Sequence, residues 1–213
     1  MIGGIDEAGR GPVIGPMVIA GVLVEKSDLK RLKEIGVKDS KLLTPARRNV
    51  LAPMIRDIIA DYDIRVIKPS VIDRYVKKGM LNWLEARYMA MIISQLRPTQ
   101  VYVDACEGPD HFRRTILGLT NHKSDVKAMN HGERNIAVAA ASILAKVRRD
   151  REIAKLQEKY GDIGSGYPSD KKTMRFVNRW VRAHGRAPKF ARSSWRPMRE
   201  LLNRYSQTKI SGF

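Results

Sequence analysis

The feature that most constrains this chain lies at its N-terminus, where two apolar runs, MIGGI and VIGPMVIAGVLV (residues 13–24), flank the heptapeptide DEAGRGP. A β-branched run bounded by glycines reads as a buried strand, here interrupted by a Gly-Pro bend. Together the two runs read as a hairpin whose turn is Asp-Glu-Ala-Gly-Arg-Gly. That turn sets two carboxylates, Asp6 and Glu7, side by side next to Arg10. Adjacent carboxylates repel, so lysine partners, a divalent cation or a raised pKa must offset the charge.

The rest of the chain alternates helix and strand signals. Thr44 followed by Pro45 reads as an N-cap and an N1 proline, and Val50, Met54 and Ile58 recur every four residues as an apolar helical face. Pro53 falls inside that pattern and predicts a kink or a split into two short helices. YDIRVIKP alternates like a strand, and LNWLEARYMAMIISQL repeats Leu81, Leu84, Tyr88, Ile92 and Leu96 at helical spacing. Met89 and Met91 read as core. TQVYVDA reads as a short central strand ending in Asp104, and DVKAMN as a weaker one. IAVAAASILAKVRRDREIAKLQEKY is the longest uninterrupted helix pattern, GDIGSGYPSD breaks it, and two basic helical stretches follow. The expected class is α/β, with a mixed central sheet flanked by helices and a small helical C-terminal region.

Composition narrows the function. The single cysteine, Cys106, excludes an intrachain disulfide and a Cys-rich zinc site. The N-terminus lacks the basic n-region of a signal peptide, and no stretch approaches the ~18 apolar residues of a membrane span. A cytoplasmic protein with no membrane partner is expected. Lys and Arg total 40 against 22 Asp and Glu, a formal net charge of +18. From residue 171 onward, 12 Lys and Arg face one acid, Glu200. That one-signed bias, interleaved with Phe176, Trp180, Phe190 and Trp195, points to a polyphosphate partner rather than an ordinary solvated face. In a basic protein of this kind, Mg²⁺ held by carboxylates and substrate phosphate is a natural way to neutralise Asp6 and Glu7. His122, His131 and His184 have no metal-ligand spacing and read as surface residues.

Six segments carry a resemblance. GIDEAGRGPVIGPMVIAGV, KDSKLLTPARR, LNWLEARYMA, VYVDA, AAASILAKVRRDREI and GSGYPSD occur in an order, and over most of residues 2–170, that resembles archaeal-type ribonuclease HII. The resemblance implies an RNase H-like sheet, four carboxylates holding two Mg²⁺ or Mn²⁺ ions, and cleavage of the RNA strand in RNA/DNA hybrids. It also implies incision at ribonucleotides embedded in duplex DNA, leaving 3′-hydroxyl and 5′-phosphate ends. Asp6, Glu7 and Asp104 match the first three acids, with Asp6 bridging the ions. For the fourth, counting back from Ile143 without gaps lands on Gly132, which cannot ligate. Matching VKAMNHGE brings Glu133 onto the acid position with one residue deleted, and the rival is Asp125. Gly9, Arg10 and Gly11 match a backbone sensor of the 2′-hydroxyl at the ribonucleotide–DNA junction, and Tyr167 matches its tyrosine. The 2′-hydroxyl is the group that distinguishes RNA from DNA. Gly-Arg-Gly favours this family over ribonuclease HIII. Lys41 and Lys146 are candidates to contact phosphate or neutralise the acids.

The resemblance divides the chain into a catalytic domain at 1–170, a basic helical region at 171–205 and a tail at 206–213. In that tail, SQTKISGF, the spacing of Gln207, Ile210 and Phe213 resembles the sliding-clamp-binding box, less its second aromatic. A replication clamp is therefore an expected partner, and the alternative is that Ile210 and Phe213 fold back onto the protein's own core. A monomer is expected. Two rival functions remain: a non-catalytic nucleic-acid-binding protein, and a general nuclease or resolvase, which would have no use for the Gly-Arg-Gly and Tyr167 pair.

Overall fold

The computed structural model describes residues 1–210. These residues form two compact units, one made of Met1–Ala8, Val18–Val66 and Leu81–Arg148, the other of Gly9–Met17, Ile67–Met80 and Arg149 onward.

The first unit is built on a five-stranded sheet of order β3-β2-β1-β4-β5. Its strands are β1 (Ile2–Ala8), β2 (Met17–Val24), β3 (Asp61–Ile67), β4 (Gln100–Asp104) and β5 (Asp125–Met129). β1 pairs antiparallel with β2 and parallel with β4, and β4 pairs parallel with β5, so the sheet is mixed. Successive strand residues point to opposite faces, and every residue of β2 is buried. Val18, Ala20, Val22 and Val24 meet helices α1 (Leu29–Glu34), α2 (Pro45–Ile58) and the first half of α6 (Ile136–Tyr160). On the opposite face, a Cβ at Gly21 would lie 2.3 Å from Ile92 of α4 (Leu81–Leu96), so only glycine lets that helix settle so close. Helix α5 (Pro109–Leu119) contacts α4 and β5. The alanines of α6 (Ala137, Ala139, Ala140, Ala141) are fully buried against the sheet. A Cβ at Gly4 would fall 2.2 Å from the Ala137 backbone, so strand and helix approach backbone to backbone there.

The second unit contains α3 (Pro69–Val76), the last turns of α6, α7 (Lys171–His184) and α8 (Arg196–Ile210). Its core joins Val13, Ile14, Ile153, Ile163, Phe176, Val177, Val181 and Met198. Among the described residues no helix is long and apolar enough to cross a membrane.

Four sequence expectations are corrected. Asp6 and Glu7 lie within β1, paired with Ala20 and Ile19, not in a hairpin turn. The pairing runs to Ala8 and stops at Gly9, whose φ of +81° leaves the strand region. Val13 and Ile14 are outside β2, because Gly15 (φ +89°) and Pro16, which lacks an N–H, interrupt the chain before Met17. Helix α2 is one helix through Pro53 and not two short ones, and its buried face is Leu51, Ala52 and Ile55, while Val50 and Met54 are 53% and 38% exposed. Both rows are apolar, so periodicity could not choose between them. Met89 is core, but Met91 is 40% exposed.

Candidate active site

The parallel pairing of β1 with β4 aligns Ile5 with Val103, and one residue further along both strands stand Asp6 and Asp104. Asp6, Glu7 and Asp104 each bring a carboxylate oxygen to within 4.8 Å of the others. Neighbours on a strand normally point to opposite faces; Glu7 joins Asp6 here from the end of β1, with one more methylene of reach. Asp6 is buried and shares its pleat face with Gly4 and Ala8, towards α6. Burial, then Glu7, then Asp104 push its carboxyl well above the usual range, against hydrogen bonds from Ser142 and the Glu7 amide (N–Oδ1 2.7 Å). Asp104 is also raised, chiefly by burial and by Glu133, while it accepts the Gly132 N–H at 2.8 Å.

Helix α6 places Ser142 and Lys146 one turn apart on the same side. The Ser142 and Ser40 hydroxyls share a 2.7 Å hydrogen bond, and Lys146 Nζ donates to Ser40. This buried chain leads from the ammonium to Asp6. Burial lowers the pKa of Lys146 despite the opposing pull of Asp6. The two serines were missed at the sequence level; each is an unremarkable neighbour of a lysine or alanine until the fold joins them across 102 residues.

Glu133 lies in a 3-10 turn (Gly132–Arg134) after His131, which adopts the left-handed conformation at φ 58°. Its Oε1 is 3.2 Å from Lys41 Nζ and 3.8 Å from His131 Nδ1. Burial pushes the Glu133 carboxyl up, but its backbone amide, Lys41 and His131 outweigh that and hold it below the usual range. Lys41, conversely, is raised: burial opposes its charge, and Glu133, Asp39 and Asp104 overcome the opposition. Glu133 is thus charge-coupled to Asp104 but is not among the three acids that converge within 4.8 Å. Asp125 opens β5, opposite Gln100 rather than Asp104, and hydrogen-bonds Gln100 Nε2 at 2.8 Å. Four residues of strand, roughly 13 Å, separate it from the level of the acids. Gly132 cannot be replaced by an acid: a Cβ there would sit 2.9 Å from the Asp104 Cα.

In the second unit, Gly9, Arg10 and Gly11 form one loop whose carbonyls are all held. Arg192, fully buried, donates Nη2 to Gly9 O (2.5 Å), Nη1 to Arg10 O (2.7 Å) and Nε to Gly15 O (3.2 Å). Trp195 Nε1 donates to Gly11 O at 3.1 Å. Tyr167 stays 38% exposed, with the buried Arg149 guanidinium 4.9 Å from its ring. Its loop is tied to the Gly-Arg-Gly segment by Val13 N and Ile14 N, both donating to Gly166 O. A Cβ added at Gly11 would meet only Tyr167 Cε1, at 3.9 Å, so packing does not require glycine there. Gln207 is exposed within α8, whose helix extends to Ile210 and so enters the segment expected to be a tail; Phe213 lies outside the described residues.

A mixed sheet flanked by helices, with three acids brought together on adjacent strands, has the architecture of an RNase H-like fold with a candidate divalent-cation site. The sequence profile described as Ribonuclease HII matches residues 3–198. A curated Ribonuclease HII of Cenarchaeum symbiosum is 43% identical, covering 93% of this chain and 97% of its own. The crystal structure of ribonuclease H2 from Pyrococcus horikoshii OT3 superposes with a TM-score of 0.90 at 40% identity, covering 97% and 99% of the two chains. That of the PCNA:RNase HII complex from Archaeoglobus fulgidus gives 0.85 at 41%, covering 94% and 96%. The chain belongs to the ribonuclease HII family, whose members are divalent-metal-dependent endoribonucleases acting on the RNA strand of RNA/DNA hybrids. The non-catalytic reading is thereby set aside.

Proposed function

We propose that this protein cleaves the RNA strand of hybrids and incises duplex DNA at single embedded ribonucleotides, leaving 3′-hydroxyl and 5′-phosphate ends. The observation that carries the proposal is the convergence of Asp6, Glu7 and Asp104. The donor set suits Mg²⁺ or Mn²⁺: hard carboxylate oxygens from three converging acids, one of them buried. Asp6, Glu7 and Asp104 would hold the metal, two ions in our reading, with Glu133 completing the set from its turn. Bound divalent ions would supply charge neutralisation at the phosphodiester and an activated water.

The chain's own groups do the rest. The Ser142 hydroxyl and the Glu7 amide fix the Asp6 carboxylate, and the Gly132 N–H fixes Asp104. Lys41, kept charged by Glu133, is positioned to grip a phosphate, and Lys146 tempers the acids through the serine pair. Gly9, Arg10, Gly11 and Tyr167 read the 2′-hydroxyl at the junction; the space beside Gly11 supports that role, because a glycine unexplained by packing leaves room for a sugar. In functional terms we assign chemistry to residues 1–170, backbone grip to 171–205 and docking to 206–213, with Gln207, Ile210 and Phe213 contacting a sliding clamp in the cytoplasm. The Archaeoglobus fulgidus complex supports a clamp partner. A titration with the cognate clamp, comparing the full chain with one ending at Ser206, tests the tail; equal binding by both overturns it.

The decisive assay is a duplex with one embedded ribonucleotide against an all-DNA control, with and without Mg²⁺. Cleavage should need both the ribonucleotide and the metal, and Asp6→Asn or Asp104→Asn should abolish it while hybrid binding persists. Metal-independent cleavage, or near-normal turnover by either variant, would overturn the assignment.

A further inference from the structure

The Gly-Arg-Gly loop is held by a tetrapeptide 182 residues away in sequence, Arg192-Ser193-Ser194-Trp195. Its outer members grip the loop: Arg192 takes the carbonyls of Gly9 and Arg10, and Trp195 that of Gly11. Its inner members are locked from behind by Asp73 of α3. One carboxylate oxygen accepts the N–H and hydroxyl of Ser193, the other the N–H and hydroxyl of Ser194. The Arg192 guanidinium also lies 4.9 Å from the Trp195 ring, so the two gripping side chains brace each other.

This arrangement dictates which way the loop's amides face. In a trans peptide the C=O and the following N–H point in opposite directions, and the chain has no cis peptide among its described residues. Drawing the Gly9 and Arg10 carbonyls onto one buried guanidinium therefore turns the N–H groups of Arg10 and Gly11 away from it. Pro12 follows and has no N–H to offer. A planar fork of donors satisfies two of these carbonyls from one side chain in a fixed geometry that the rotatable donors of an ammonium do not impose.

We propose that Arg192 and Trp195 are positioning residues for ribonucleotide recognition: without touching substrate, they set the orientation of the Gly-Arg-Gly amides, and Asp73 fixes the pair. The inference rests on the reading of that loop as the junction sensor. It extends the sensor from four residues to a clamp anchored on α3.

The test uses the full-length protein and a duplex whose one strand runs from RNA into DNA, scoring the partition of cuts between the junction and internal RNA positions. Partition within one substrate does not depend on the fraction of folded enzyme, so a merely structural defect leaves it unmoved. Trp195→Phe keeps a ring and removes one donor; it should shift the partition away from the junction about fivefold, the size of one neutral hydrogen bond. Arg192→Lys keeps the charge and loses the fork, and should shift it roughly tenfold or more. If Arg192→Lys does not fold, Trp195→Phe decides. A wild-type partition in Trp195→Phe overturns the inference, provided that Tyr167→Ala alters it. A wild-type partition in Tyr167→Ala as well, or no junction preference in the wild-type protein, overturns the sensor reading and the inference with it.

Discussion

Gly9 and Gly11 stand two residues apart for different reasons. Gly9 has φ +81°, and a Cβ there would lie 2.7 Å from Arg149 Cδ and 2.8 Å from Pro16 O. Gly9→Ala should therefore lower stability by about 1–3 kcal/mol through strain at a left-handed position, visible as a drop in melting temperature. A Cβ at Gly11 meets only Tyr167 Cε1, at an ordinary 3.9 Å, so the Tm of Gly11→Ala should stay near wild type while kcat/KM on the single-ribonucleotide duplex falls roughly tenfold, the equivalent of about 1.4 kcal/mol. The fourth acid is a second residue-scale question. Glu133→Gln removes a charge coupled to Asp104 and Lys41, whereas Asp125→Asn alters a site four strand residues from the acids' level. Turnover should fall far more in the first; the reverse order would return the fourth ligand to Asp125. At this scale Asp6, Glu7 and Asp104 were legible because adjacent acids before a glycine turn, and an acid ending an apolar strand, are chemical oddities in themselves. Ser40, Ser142, Arg192 and Asp73 were not, since what marks them is a partner 102 to 183 residues distant.

Helix α7 shows how an element can be tied to a loop. Asp170 caps it, accepting the N–H of Lys172 at 2.9 Å and, on its other oxygen, the N–H of Ser165 at 2.7 Å. The backbone amides of Ser165 and Lys172 hold its carboxyl at about 2, below the ordinary 3.8. A lowered folded-state pKa means the charged form stabilises the fold above the unfolded value and loses that effect as pH falls through the folded one. Asp170→Asn should lower the Tm at neutral pH, and the gap to wild type should close between about pH 4 and pH 2. A gap independent of pH would show that the cap acts through shape rather than charge. Most elements were read correctly where a helix or strand pattern stood alone: α4 matches LNWLEARYMAMIISQL end to end, and α6 matches its pattern throughout. Helices α3 and α5 were missed although each begins with a proline, Pro69 and Pro109, the same N1 signal that marked Pro45. They are short, at 8 and 11 residues, and no long apolar repeat accompanied the signal.

Across the whole molecule, charge is the property most open to measurement. Of the 12 basic residues after position 170, Arg192 is fully buried, while Lys171, Arg175, Arg179 and Arg182 line the exposed side of α7 opposite its core residues Phe176, Val177 and Val181. If this face follows a phosphate backbone, log affinity for a hybrid should fall linearly with log salt. Each arginine replaced by glutamine should lessen that slope by about 1. Arg175→Gln with Arg179→Gln would check this; an unchanged slope would make the face an ordinary solvated surface. The α/β class and the strand–helix order were legible from local patterns, but the sheet order was not, because which strands pair is decided by partners far along the chain. That order leaves β1 with a hydrogen-bonded neighbour on each side, β2 and β4, and with α6 seated directly on its backbone at Gly4. The amides of the stretch paired on both sides, Gly3, Gly4 and Ile5, therefore exchange through global opening. In native-state hydrogen–deuterium exchange those amides should thus be among the last to label, on the timescale of unfolding itself, so that the stretch of strand leading into Asp6 and Glu7 persists until the fold itself is lost.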